Sequence, residues 1–161
     1  PVDVKTFLKY QSPNPDKSLS DSFRKLYTDV HPPLYFLIAR TFVEWFGSSV
    51  KVLRSASAFL SILTLPALYW LCLELFQSSL VAQVATVLFC ISPFQVLYAQ
   101  EARPYSLFTL VILLSSASLL WAMRTKRTLP WFIYSLSVPL GLYSQFFFLF
   151  VLFGYFSYIF A

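Results

Sequence analysis

Residues 104–123 read PYSLFTLVILLSSASLLWAM, twenty consecutive positions without a charged side chain. An α-helix rises about 1.5 Å per residue, so this stretch is long enough to cross the roughly 30 Å hydrocarbon core of a bilayer. Charged residues bound it on both sides, with Glu101 and Arg103 before it and Arg124 directly after it. The pattern predicts a membrane-spanning helix.

Three further stretches contain no charged residue, and they occupy residues 55–73, 75–100 and 128–161. The first two each have the length of one spanning helix. The last is too long for one span, and the polar pair Ser144-Gln145 interrupts it. Together these stretches predict a transmembrane bundle at 52–161, with four or five spans. For five, the approximate helices are 55–75, 79–99, 104–123, 128–143 and 146–161.

The composition of the whole chain agrees with a membrane protein. Of its 161 residues, 58% are hydrophobic, 20% are aromatic and only 12% are charged. A soluble domain carries about 25% charged residues. The values exclude a disordered segment, a nucleic-acid-binding tail and a disulfide-rich scaffold. We therefore predict an all-α, polytopic membrane helical bundle, with the lipid bilayer and not a nucleic acid as partner.

The segment before the bundle divides into two parts. Residues 1–30 are polar and predict a loop outside the membrane. His31-Pro32-Pro33 then opens an apolar run, and prolines suit the first turn of a helix. About fifteen residues with two charges are short for a span. Residues 31–47 therefore predict an amphipathic juxtamembrane helix in the interface, with a spanning helix as the alternative.

Basic residues set the expected orientation. The loop at 123–127 is the densest in Lys and Arg, which predicts a cytoplasmic position. Counting spans back from it places the 100–104 loop on the extracytoplasmic side. If the 31–47 helix lies flat, residues 1–30 share that side. If the helix spans, they lie in the cytoplasm.

His31, the only histidine, begins the first of two motifs that could carry chemistry. A helix N-terminus favours anions, so His31 could donate a hydrogen bond to a phosphate or sugar oxygen. Asp29 stands where it could orient the imidazole. The equally weighted alternative is a helix-entry turn in which His31 faces water.

The second motif joins two uncharged stretches and reads Gln100-Glu101-Ala102-Arg103-Pro104-Tyr105. Glu101 and Arg103 are the only charged residues between positions 75 and 123. A guanidinium can hold a phosphate through two parallel hydrogen bonds. The alternative is a pair of charged anchors at the membrane boundary. Neither motif resembles a metal site.

Taken in order, these motifs resemble those of the protein-O-mannosyltransferase-like membrane glycosyltransferases, the GT-C class with family 39 and its bacterial relatives. The resemblance covers about residues 25–150. The matching segments are Asp29-Val30-His31-Pro32-Pro33-Leu34-Tyr35, Leu53-Arg54-Ser55-Ala56-Ser57-Ala58, Ser92-Pro93-Phe94 and Tyr98-Ala99-Gln100-Glu101-Ala102-Arg103-Pro104-Tyr105-Ser106-Leu107.

This resemblance implies a hexosyl- or pentosyltransferase of the bacterial plasma membrane. It would move a sugar from a polyprenyl-phosphate donor to a lipid or protein acceptor on the extracytoplasmic side. No other cofactor follows, and metal dependence stays open. The implied donor-phosphate contacts are His31 and Arg103, with Asp29, Glu101 and Tyr105 as supporting residues.

The sequence departs from the family pattern in two places. Relatives carry their catalytic Asp in an Asp-Glu pair ahead of the His-Pro-Pro motif, and no such pair precedes His31 here. The general-base Asp is therefore expected upstream of Pro1, and the chain is expected to be a fragment that is inactive by itself. The second departure is Tyr143-Ser144-Gln145-Phe146, where relatives often have Thr-His.

A non-catalytic polytopic membrane protein is the alternative function, either a transporter subunit or a lipid-headgroup binder. Transporters place ionisable residues near the bilayer midplane. The uncharged stretches of this chain contain none, which favours chemistry at the outer face. A headgroup binder would use the same Arg and His without a catalytic acid.

Overall fold

The structure is a computed structural model that describes residues 32–125 and 127–160. Within these ranges it contains seven α-helices and no β-strand, which confirms the all-α prediction. The predicted loop at 1–30 lies outside the described residues. The helices are α1 (Leu34–Phe46), α2 (Val50–Phe76), α3 (Ser79–Cys90), α4 (Pro93–Gln100), α5 (Tyr105–Thr125), α6 (Thr128–Ser144) and α7 (Phe148–Phe160).

Two of these helices, α2 and α5, are long and apolar enough to cross a membrane. The chain bends by 57° between α3 and α4. Taken together, these two helices would count as one broken span or as a re-entrant loop. The prediction of one continuous helix at 79–99 is therefore wrong. By length and composition, the described residues contain two or three candidate spans, where the sequence predicted four or five.

The break between α3 and α4 has a local cause. Pro93 is the first residue of α4 and has no N–H to donate to a carbonyl in the preceding turn. Ser92, directly before it, has an extended backbone. The Gln95 side chain then attaches α4 to α2, because its Nε2 donates to Ser61 Oγ at 2.6 Å and Thr64 Oγ1 at 2.9 Å.

Helices α2 and α5 form the centre of the bundle and run parallel. Glu74 Oε2, near the end of α2, lies 2.7 Å from Arg124 Nη2, near the end of α5. The two C-terminal ends therefore meet, and α3 with α4 forms the return connection. Buried residues from α1, α2, α5 and α7 make up the core, namely Tyr35, Ala39, Leu60, Ala67, Leu107, Leu110, Val111 and Phe148.

Helix α7 packs closely against the end of α6. The Phe148 ring is fully buried and contacts Gly141, where a Cβ atom would lie 2.5 Å from the ring. Tyr155 attaches α7 to α5, since its hydroxyl lies 2.7 Å from Ser115 Oγ and 2.8 Å from Ser116 Oγ. The turn at residues 145–147 is thereby held against the bundle.

Candidate functional site

A cleft of about 270 Å³ opens at the N-terminal end of α5, the end away from the Glu74–Arg124 pair. Three segments line it. Pro32 and Phe36 come from the start of α1, residues 103–105 from the entry to α5, and residues 144–147 from the turn between α6 and α7. The fold thus joins segments that are distant in sequence. We refer to this space as the cleft.

Among the described residues that line the cleft, Arg103 alone is charged. Its backbone N–H donates to the Glu101 carbonyl at 2.8 Å, which makes a tight turn before Pro104. The Arg103 Nε atom lies 3.9 Å from Glu101 Oε2, with the two side chains 65% and 42% exposed. This distance is too long for a hydrogen bond. The guanidinium therefore lines the cleft with donors that the ion pair does not use.

Aromatic packing fixes the segment that carries Arg103. The Tyr105 and Tyr98 rings meet edge to face with centroids 4.7 Å apart, and Tyr98 meets Phe94 at the same distance. Ser106 Oγ also donates to the Tyr98 carbonyl at 3.1 Å. Tyr105 lines both the cleft and a second cavity of about 250 Å³ between α4 and α5. These contacts give Arg103 an ordered support.

Ser144 and Gln145 contribute buried polar atoms to the cleft. Ser144 is 1% exposed, and its Oγ atom, like Gln145 Oε1, has no hydrogen-bond partner among the described residues. Nearly all buried polar side-chain atoms have such a partner, because an unpaired one costs about 1–3 kcal/mol. Two residues that line one cleft therefore carry polar atoms without a partner.

The match to a known family covers most of the chain. The family model of the dolichyl-phosphate-mannose-protein mannosyltransferases matches residues 30–161. The chain belongs to this family. The predicted relationship to protein-O-mannosyltransferases is thereby confirmed. No curated protein and no solved structure gave a match.

Membership of the mannosyltransferase family assigns the chain to the membrane glycosyltransferases. Together with the long apolar helices, it makes the chain an integral membrane protein.

The protein's predicted site residues are only partly described. Arg103 and Tyr105 line the cleft, and Glu101 lies beside Arg103. Asp29 and His31 lie outside the described residues, although Pro32, the residue after His31, lines the same cleft.

In this mannosyltransferase-family chain, a buried hydrogen bond connects the start of α1 to α2. The Tyr35 hydroxyl lies 2.7 Å from Ser57 Oγ on α2. Burial raises the pKa of Tyr35, and the hydrogen bond with Ser57 acts in the opposite direction. Tyr35 therefore stays neutral and holds the chain next to Pro32 in place.

Sequence reasoning missed Ser144 and Gln145 as site residues. It treated the pair as a helix break and as a departure from the family pattern, because nothing local relates them to Arg103. The available signal was a polar pair within an otherwise apolar stretch. Only the packing of α6 and α7 on α5 brings the pair to the cleft.

The cleft's chemistry suits an anionic, hydroxylated ligand. The polar residues that line it are Arg103, Tyr105, Ser144 and Gln145. Among the residues that the structure describes, no group of three His, Cys, Asp or Glu side chains could hold a metal ion.

Proposed function

We propose that the protein transfers a sugar from a polyprenyl-phosphate donor to a lipid or protein acceptor, and that the cleft holds the donor phosphate. The observation that carries this proposal is the position of Arg103. Arg103 lines the cleft, and its Nε atom lies 3.9 Å from the Glu101 carboxylate, without a hydrogen bond to it. A guanidinium is well shaped to bind phosphate oxygens.

In the proposed reaction, the bond between the anomeric carbon and the phosphate oxygen breaks as an acceptor oxygen bonds to the same carbon. The bonding electrons remain on the phosphate, whose negative charge grows. Arg103 stabilises this charge. Glu101 and Tyr105 support the guanidinium and the segment that carries it. His31 is proposed as a second phosphate contact, with Asp29 to orient it.

A base must take the proton of the acceptor hydroxyl. Among the described residues that line the cleft, none carries a carboxylate. We propose as this base an acidic side chain that lies outside the described residues.

We propose that the cleft faces the extracytoplasmic side, in a bacterial plasma membrane. The support is the direction of α5, which starts at the cleft and ends next to Arg124 and Arg127. At about 1.5 Å per residue, its 21 residues separate the two ends by roughly a membrane thickness. Basic residues favour the cytoplasmic side.

The test is transfer by the complete protein in membrane vesicles, supplied with polyprenyl-phosphate hexoses and pentoses that carry a labelled sugar. Arg103→Gln should lower transfer about 100- to 1,000-fold, as loss of a charge-stabilising donor does in other enzymes. Arg127→Gln, at the other end of the bundle, is the matched control and should keep full transfer. Unchanged transfer by Arg103→Gln would refute the proposal.

The vesicle assay also separates the enzyme from a headgroup binder, which would use the same Arg103 to hold a lipid phosphate. A binder would retain the lipid phosphate through Arg103 but would transfer none of the labelled sugars. Binding without transfer would therefore favour the binder.

A further inference from the structure

We propose that Ser144 and Gln145 form a subsite that binds a hydroxyl group of the sugar, next to the phosphate held by Arg103. This inference rests on the proposed function and deepens it. It implies that residues at the end of α6 and in the following turn determine the sugar specificity. That turn lies about forty residues beyond the motif that carries Arg103.

The first support is the unpaired state of the two side chains. Gln145 Oε1 can only accept a hydrogen bond, whereas Ser144 Oγ can donate and accept. Neither atom has a partner among the described residues, and both residues line the cleft. A ligand hydroxyl could donate to Gln145 Oε1 and accept from Ser144. The ionised phosphodiester of the donor has only acceptor oxygens, so it cannot satisfy Gln145 Oε1.

The second support is the rigid backbone that carries these side chains. The Gln145 N–H donates to the Gly141 carbonyl at 3.0 Å, and the Gln145 carbonyl accepts from the Phe148 N–H at 3.0 Å. Phe148 is fully buried against Gly141. The turn is therefore held on both sides of Gln145. Positioned polar groups on a rigid support are what specificity for a small ligand requires.

The third support is the division of charge within the cleft. Of the described residues that line it, Arg103 supplies the charged side chain, and Ser144 and Gln145 are neutral and polar. One guanidinium suits one phosphate, and the neutral groups suit the uncharged part of the same ligand. The cleft volume of about 270 Å³ is near the small end of ligand pockets, which hold roughly 300–1,000 Å³. This leaves room for one sugar phosphate unit.

The experiment measures binding of mannose 1-phosphate, its monodeoxy forms and inorganic phosphate to the purified complete protein in detergent. If the subsite exists, the unaltered protein binds mannose 1-phosphate more tightly than inorganic phosphate. One deoxy form should then bind about 5- to 100-fold more weakly, because a buried polar group loses its partner.

The variant Gln145→Met has nearly the same side-chain length but no amide. It should bind mannose 1-phosphate and that deoxy form equally, with inorganic phosphate binding unchanged. Ser144→Ala should reduce the same difference. The matched control is Gln83→Met, the same change at an exposed position of α3, which should leave every affinity unchanged.

Two results would overturn the subsite. One is mannose 1-phosphate binding no more tightly than inorganic phosphate. The other is a Gln145→Met protein, folded by its thermal unfolding profile, that keeps the unaltered preference between mannose 1-phosphate and its deoxy forms. Failure of the proposed function gives a different pattern, because transfer would then survive Arg103→Gln in the vesicle assay.

Discussion

The Glu74 carboxylate and the Arg124 guanidinium lie 2.7 Å apart, although the two residues are fifty positions apart in sequence. The Glu74 side chain is 7% exposed, whereas that of Arg124 is 47% exposed. Trp70 Nε1 also donates to the Glu74 carboxylate at 3.3 Å. The pair joins the C-terminal ends of α2 and α5. Both helices therefore begin at the end of the bundle where Arg103 lies.

This asymmetry of burial predicts unequal effects of removing each partner. Arg124→Met leaves a buried carboxylate without its cation and should destabilise the fold by about 2 kcal/mol. That is less than the roughly 3–5 kcal/mol for fully buried pairs, because Arg124 is half exposed. Glu74→Gln removes the charge itself, and its amide still accepts from Trp70, so its cost should stay under about 1 kcal/mol. Thermal unfolding in detergent measures both.

Arg127→Met is the control for the loss of a basic residue, because Arg127 is exposed and close to Arg124 in sequence. It should leave the unfolding temperature within error. If Arg124→Met cost no more stability than Arg127→Met, the ion pair would not contribute to holding the two helices together.

Side-specific labelling tests the orientation. In a background without Cys72 and Cys90, a cysteine is placed at exposed Ala102 or at exposed Arg127. An impermeant maleimide should label the cysteine at Ala102 in intact cells and the cysteine at Arg127 only after permeabilisation. The reason is that α5 places these positions at opposite ends of a helix of about membrane thickness. Labelling of both positions from one side would contradict this arrangement.

The sequence predicted those parts of the fold that depend on local pattern. The absence of charge at 104–123 predicted α5, and the pair Ser144-Gln145 predicted the turn that separates α6 from α7. The break before Pro93 was missed, although a Ser-Pro pair inside an apolar stretch is a local signal for it. The uncharged stretch at 75–100 is long enough for one span, so its length alone predicted a continuous helix.

The candidate site was less predictable because it depends on tertiary contacts. Arg103 stands out in the sequence as one of two charged residues between positions 75 and 123, and it lines the cleft. Gln145 reaches the same cleft only because α7 packs on α6 through Gly141 and Phe148. No spacing rule relates positions 103 and 145. His31 stays a prediction, since it lies outside the described residues.

The hydrogen bond between Tyr35 and Ser57 predicts a pair of coupled substitutions. Both residues are buried, so Tyr35→Phe or Ser57→Ala leaves one hydroxyl without its partner and should destabilise by about 1–2 kcal/mol. The double variant removes both hydroxyls and should lose less than the sum. Unfolding temperatures of the three variants form the cycle. Strictly additive losses would contradict the bond.

The raised pKa of Tyr35 adds a pH dependence. Burial keeps the folded phenol protonated at pH values where an unfolded tyrosine, with a pKa of about 10, has begun to ionise. Stability should therefore be fully present below about pH 10 and fall as the pH rises towards the folded pKa. Tyr35→Phe should flatten this decline, and an unchanged slope would show that Tyr35 does not contribute to it.

Gly141 gives the prediction that connects packing to the cleft. A Cβ atom at this position would lie 2.5 Å from the Phe148 ring, and that ring is fully buried. Gly141→Ala should therefore force α7 away from α6 and destabilise by about 1–3 kcal/mol, the usual cost of overpacking. Because Gly141 and Phe148 also hold the backbone of Gln145, the same variant should weaken mannose 1-phosphate binding more than inorganic phosphate binding.

Gly154 in α7 is the matched control, since a Cβ atom there would meet nothing within 4 Å. Alanine is a better helix former than glycine, so Gly154→Ala should be neutral or stabilising by up to about 1 kcal/mol. Phe148→Leu combined with Gly141→Ala should recover part of the lost stability, because the smaller side chain vacates the space that the new methyl group needs. If Gly141→Ala and Gly154→Ala behaved alike, the close contact between α6 and α7 would be refuted, and with it the rigid support of Gln145.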